Sequence, residues 1–136
     1  MLFVIDVGNS NVVCGLFEGE TVRSAVRMET GGISAYQSCF EELNAKFGAA
    51  GSSLGKVEAV CMASVVPEAG AVFAELSRRC LGREPVIVSS ALRMNIRLGV
   101  EAPEKVGADR IANAAAALHY FGAPFIVVDF GTATTL

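Results

Sequence analysis

The sequence predicts a mixed α/β lobe in which an antiparallel meander leads into parallel βαβ units. Three observations carry that prediction. Between Leu2 and Met28, apolar or alternating runs are separated by turn-forming clusters. From Val57 onward, apolar runs of strand length alternate with stretches at helical spacing. Finally, 52% of the 136 residues are apolar, enough to fill one core.

The elements follow in order. Leu2 to Val7 is nearly continuous aliphatic, as in a strand buried on both faces, and Gly8-Asn9-Ser10-Asn11 is a turn cluster. Val12 to Phe17 is a second strand, Glu18-Gly19-Glu20 the next turn, and Thr21 to Met28 alternates polar and apolar residues as a third. Ser34 to Phe47 carries Tyr36, Phe40, Leu43 and Phe47 near helical spacing, keeps Glu41 and Glu42 outside, and stops at Gly48. After the small-residue loop Ala49 to Gly55, Val57 to Ala63 reads as a strand, Glu68 to Cys80 as a helix and Pro85 to Val88 as a strand. Ser89 to Val106 has no firm periodicity, although Asn95 to Leu98 fits a short strand. Asp109 to Phe121 is an Ala-rich helix and Phe125 to Val128 another buried strand, followed by a glycine turn that should open a second meander.

Composition removes several classes of function. The formal net charge of −3 lacks the basic excess of a general nucleic-acid binder, and the apolar content is too high for a disordered tail. The uncharged stretch from Ile111 to Val128 approaches the length of a membrane span, but Asn113, His119 and Gly122-Ala123-Pro124 interrupt it, so no membrane association is expected. The N-terminus has no basic start and meets Asp6 early, which fits a first strand and not a signal peptide. Cys14, Cys39, Cys61 and Cys80 are too far apart in sequence for a CxxC pair and read as buried, reduced thiols, pointing to the cytoplasm. His119 is the only histidine, so zinc sites and Ser/His/Asp triads have little to build on; it reads as a helix-surface or helix-end residue.

The chemistry is concentrated in an internal echo. Val4-Ile5-Asp6-Val7-Gly8-Asn9-Ser10 and Val127-Val128-Asp129-Phe130-Gly131-Thr132-Ala133 are each an apolar strand ending in Asp-x-Gly, then a small hydroxyl- or amide-bearing residue. Glycine lets backbone N–H groups approach an anion, Asn, Ser and Thr add donors, and a carboxylate at the strand end can hold a cation directly or through water. A lone Asp-x-Gly is also a common hairpin turn. Two copies could grip a nucleotide's phosphates from opposite sides. A dinucleotide fold is disfavoured, because no GxGxxG occurs and the first turn leads into a strand; no GxxxxGK[ST] occurs either.

The paired turns resemble the phosphate loops of the actin, sugar kinase and Hsp70 chaperone superfamily, whose duplicated lobes close over ATP. With Gly107-Ala108-Asp109-Arg110 between them, the motifs Asp6 to Ser10 and Asp129 to Thr135 resemble type III pantothenate kinase in order and spacing. Ser64-Val65-Val66-Pro67 and the Arg27 to Thr30 segment are supporting matches. The resemblance implies a ribonuclease H-like, actin-like lobe over residues 1–108. Residues 109–136 would then be a linking helix plus the first strand and phosphate turn of a truncated C-terminal lobe.

Residue by residue, the resemblance implies that Asp6, Gly8, Asn9, Ser10 and Asn11 bind ATP phosphates, with Mg²⁺ near Asp6, and that Gly131, Thr132 and Thr134 form the second phosphate motif, Thr132 touching ATP. Gly107, Ala108, Asp109 and Arg110 would bind pantothenate, with Asp109 as general base and Arg110 on the substrate. Asp129 would help bind a monovalent cation, potassium or ammonium. Val100 stands where many members carry an aromatic residue, so the pantothenate pocket should differ in shape. A cytoplasmic homodimer acting on ATP and pantothenate is implied. From the residues alone, Asp109 also fits helix capping and Arg110 a surface cation. A carboxylate at a helix start is a modest base, which suffices where the transition state is loose and the hydroxyl needs mainly orientation. Arg110 offers a planar fork for a carboxylate. The alternatives are another small-molecule kinase, or a catalytically silent nucleotide-binding regulator, on the same fold.

Overall fold

The computed structural model describes residues 1–130 and, for Thr134–Thr135, the strand pairing alone. The elements are β1 (Leu2–Val7), β2 (Asn11–Glu18), β3 (Thr21–Glu29), α1 (Tyr36–Ala49), β4 (Ala59–Ser64), α2 (Pro67–Cys80), β5 (Val86–Ile87), α3 (Ala108–Phe121), β6 (Asp129–Phe130) and β7 (Thr134–Thr135). Five strands form one sheet in the order β3-β2-β1-β4-β5, antiparallel from β1 to β3 and parallel from β1 to β5. This is the mixed sheet expected from a meander followed by βαβ units.

One face of the sheet is covered across its central strands. Phe3, Ile5 and Val7 of β1 are wholly buried, and the register sets them between Leu16, Cys14 and Val12 of β2 and, for Phe3 and Ile5, Val60 and Met62 of β4. The two-residue period of a strand makes these a continuous apolar surface. Leu43 and Phe47 of α1 and Phe73 and Leu76 of α2 close over it in a single core, with Phe3 and Phe47 meeting edge to face at 6.0 Å between ring centres.

The opposite face is only partly covered. Val4 pairs in register with Cys61, and Asp6 with Ala63. Ala63, Val88, Ala108 and Ile111 form a second, smaller cluster with Ile96, Leu98 and Val106, which seats the start of α3 beside β4. Gly122 ends that helix, its N–H donating to the Leu118 carbonyl at 3.1 Å.

Several expectations need correction. Leu2 to Val7 is buried on one face only, since Leu2 and Asp6 are exposed on the other. Phe125 to Val128 is not a buried strand: Ile126 is 85% exposed, and the strand begins at Asp129. A strand needs a neighbour for its backbone N–H and C=O groups, and among the described residues the pairing here is confined to β6 and β7, with Asp129 opposite Thr135 and Phe130 opposite Thr134. Asn95 to Leu98 forms no strand; Ile96 and Leu98 instead contribute side chains to the smaller cluster. Of the four thiols, all free, Cys14 and Cys39 are buried while Cys61 and Cys80 are half-buried. Burial pushes the Cys14 thiol up to about 12, which leaves it unreactive. Among the described residues no helix is long and apolar enough to cross a membrane.

Candidate functional site

The partly covered face opens into a cleft of about 990 Å³, lined by the ends of β1 and β4, the β1–β2 turn, the first turns of α3 and the Asp129–Phe130 strand. Asp6, Gly8, Asn9, Ser10, Asn11, Gly107, Asp109, Arg110 and Asp129 all line it. Residues more than a hundred positions apart in sequence are thereby brought to one cavity.

The period of β1 explains Asp6. Flanked by the buried Ile5 and Val7, it points its carboxylate to the opposite, open face. Partial burial against the cleft, and then the nearby charges of Asp109 and Asp129, push that carboxyl above its usual range. The turn that follows is closed by the Gly8 N–H donating to the Asn11 carbonyl at 3.0 Å. A Cβ on Gly8 would stand 3.1 Å from that same carbonyl oxygen, so the turn is tightest with glycine there.

Asp109 and Arg110 lie in the first turn of α3, after an N-cap at Gly107 whose extended ψ starts the helix. Asp109 Oδ1 accepts the Arg110 N–H at 2.8 Å, so the carboxylate satisfies one of the helix's unpaired donors and is held in place by it. It also folds back over Gly107, where a Cβ would run into Oδ1. The capping reading and the cleft reading of Asp109 are therefore compatible: one oxygen is tethered to the backbone while the side chain lines the cavity. Ala108 is buried in the smaller cluster and anchors this turn against β4.

Val100 does not line the cleft; it is exposed in the irregular stretch before Pro103. Gly131 and Thr132 lie outside the described residues, as does the side chain of Thr134. His119 sits in the last turn of α3 with Nε2 3.4 Å from Glu20 Oε1, remote from the cleft lining, as a helix-end residue should.

Other cleft residues received no role from the sequence. Asn113 Nδ2 donates to Asp129 Oδ2 at 3.3 Å, tying α3 to β6. The signal was present: Asn113 follows Asp109 by one helical repeat on an otherwise Ala-rich helix, which places both on one side. Arg27 near the end of β3, and Lys105 just before α3, add positive charge opposite the three carboxylates. The cleft thus offers cations and a glycine turn for an anion, together with carboxylates for a cation or a proton.

A mixed sheet whose first hairpin turn is Asp-x-Gly, opening on a cleft beside the strand ends, is the architecture of a lobe of the actin-like ATPase class. The chain belongs to the type III pantothenate kinase family, whose model matches residues 2–136. It is 48% identical over 135 residues to a type III pantothenate kinase of Thermomicrobium roseum, covering 99% of this chain and 52% of that protein. Type III pantothenate kinases of Brevibacillus brevis and Anaeromyxobacter dehalogenans are each 38% identical over 135 residues, covering 99% of this chain and 53% of theirs. The chain spans about half the length of the curated relatives it matches.

Proposed function

We propose that this chain supplies the N-terminal ATPase lobe, over residues 1–108, and the opening of a second lobe, over residues 109–136, of a cytoplasmic enzyme that transfers the γ-phosphate of ATP to the hydroxyl of pantothenate, giving 4′-phosphopantothenate for coenzyme A synthesis. The observation that carries this reading is the convergence of the Gly8–Asn11 turn, Asp109-Arg110 and Asp129 on one cleft.

Gly8, Asn9, Ser10 and Asn11 receive ATP phosphate from one side, and Gly131, Thr132 and Thr134 from the other. Arg110 pairs with the pantothenate carboxylate, holding the hydroxyl toward Asp109. Asp109 accepts the hydroxyl proton as the oxygen–phosphorus bond forms and ADP leaves. One Asp109 oxygen is already bonded to the Arg110 N–H, so the side chain pays little entropy to stay aimed.

The residues fit bound cations. Asp6 shares the cleft with Asp109 and Asp129, and its carboxyl is raised by partial burial and then by their charges, both of which positive charge nearby would offset. The ion would be carried mainly by phosphate and water, with Asp6 as its protein contact. Bound with ATP, Mg²⁺ neutralises charge on the β- and γ-phosphates. Asp129, held by Asn113 through one oxygen, is the residue for potassium or ammonium. A homodimer is part of the same reading.

Radiolabelled ATP with a panel of acceptors tests it in the full-length protein. Labelled phosphopantothenate is expected. Label on another alcohol would make it a different small-molecule kinase, and no product with any acceptor would make it a silent nucleotide-binding regulator. Replacing sodium by potassium or ammonium at constant ionic strength should raise the rate, and Asp129→Ala should abolish that response; equal rates in all three salts count against the cation site.

A further inference from the structure

The β1–β2 turn is braced from outside by a residue that does not line the cleft. Thr30 follows the last residue of β3 and is buried, at 7% exposure. Its hydroxyl donates to the Gly8 carbonyl at 2.8 Å, and its backbone N–H donates to the Ser10 carbonyl at 3.1 Å. A single residue from a different hairpin thus holds two of the turn's carbonyl oxygens.

We propose that Thr30 is a positioning residue for nucleotide phosphate, acting through the turn, an inference that rests on the reading of Gly8 to Asn11 as a phosphate loop. The argument is electrostatic. A turn that binds phosphate must present N–H groups and withhold carbonyl oxygens, because carbonyl lone pairs repel anionic oxygens. Gly8 supplies the flexibility that permits a close approach, and that same flexibility would let its peptide units rotate. Tying the Gly8 and Ser10 carbonyls to Thr30, and the Asn11 carbonyl to the Gly8 N–H at 3.0 Å, leaves three of the four carbonyls from Gly8 to Asn11 already committed inside the protein. The register supports the brace: Asn11 pairs with Glu29, so the strand pairing delivers Thr30 to the turn.

The hydroxyl carries one of the two Thr30 bonds and can be removed without changing the side chain's shape, by Thr30→Val. Affinity for MgATP, measured directly by titration on the full-length protein, should fall about tenfold, as expected when one acceptor of a positioned turn loses its donor. KM for ATP should rise by a similar factor while KM for pantothenate changes less than about twofold. Thr30→Ser restores the hydroxyl and should stay within about twofold of wild type. Unchanged MgATP affinity in Thr30→Val, or equal loss in Thr30→Ser and Thr30→Val, would overturn the inference. A Thr30→Val protein that does not fold while Thr30→Ser does would also overturn it, by assigning the hydroxyl to the fold. Because the titration needs no acceptor, failure of pantothenate turnover in the wild type would sink the substrate reading and leave Thr30 still decided by MgATP affinity. Wild-type protein that binds no MgATP would end both.

Discussion

The two faces of the central sheet are built from the same strands and serve opposite ends. Along β1, Phe3, Ile5 and Val7 are wholly buried beneath α1 and α2, while Asp6 on the other face meets a cleft and is pushed toward its neutral form by partial burial and then by the charges of Asp109 and Asp129. The same holds along β4, where Val60 and Met62 join the main core and Cys61 and Ala63 turn to the cleft side. The covered face gains stability from apolar area; the open face gives some of it up to gather like charges. What the contrast teaches is that a strand's period of two can separate stability from chemistry within a single run of six residues.

That separation can be broken from either side. The largest effect expected is on the covered face: Phe73→Ala, at a wholly buried position of α2, should lower unfolding stability by about 3–5 kcal/mol through lost burial and a cavity. Denaturant titration checks it, and a loss below about 1 kcal/mol would mean that this face is not the tight core described.

Next comes the open face. Asp109→Asn in the full-length protein should lower phosphopantothenate formation by about 10² or more, equivalent to about 2.7 kcal/mol of barrier, while leaving Tm and nucleotide affinity nearly unchanged. The amide keeps an oxygen for the Arg110 N–H, so the helix start is preserved. Normal turnover would remove Asp109 from the chemistry.

The smallest effect has the most diagnostic sign. The Asp6 carboxyl is raised in the folded state, so the fold binds that proton more tightly than the unfolded chain does. The resulting penalty is absent at low pH and appears as pH rises from the ordinary carboxylate value through the raised folded value. Asp6→Asn should therefore raise Tm slightly at pH 7, with the gain vanishing toward pH 3, and should weaken MgATP binding. Thermal melts across that range decide it; a destabilised Asp6→Asn at neutral pH would show that the carboxylate contributes to stability instead of costing it.

Tyr120, Phe121, Ile126 and Phe130 extend the comparison toward the end of the described residues, where these large apolar side chains are exposed and Phe130 lines the cleft. The apolar run Phe125 to Val128 reads as a buried strand in sequence, and the error over it has that origin. Hydrophobicity reports that a segment will be buried somewhere, but not against what. Strand pairing is a property of two segments, and the described residues offer Asp129–Phe130 only β7.

Local sequence by itself determined a great deal here: the meander, the helices α1 and α2, the β1–β2 glycine turn and the repetition of Asp-x-Gly are written in short-range patterns of periodicity and turn chemistry. So was the prominence of Asp109-Arg110, because a charged pair opening an Ala-rich helix stands out. Only tertiary structure decided that Asp6, Asp109 and Asp129 line one cleft, that Asn113 holds Asp129, that Val100 stays outside it, and that Thr30 reaches back to brace the β1–β2 turn. The physical reason is range. Propensity, capping and alternation act over a few residues, whereas Coulomb repulsion and hydrogen bonds between separate elements exist only once the sheet has fixed the register that brings them within a few ångströms.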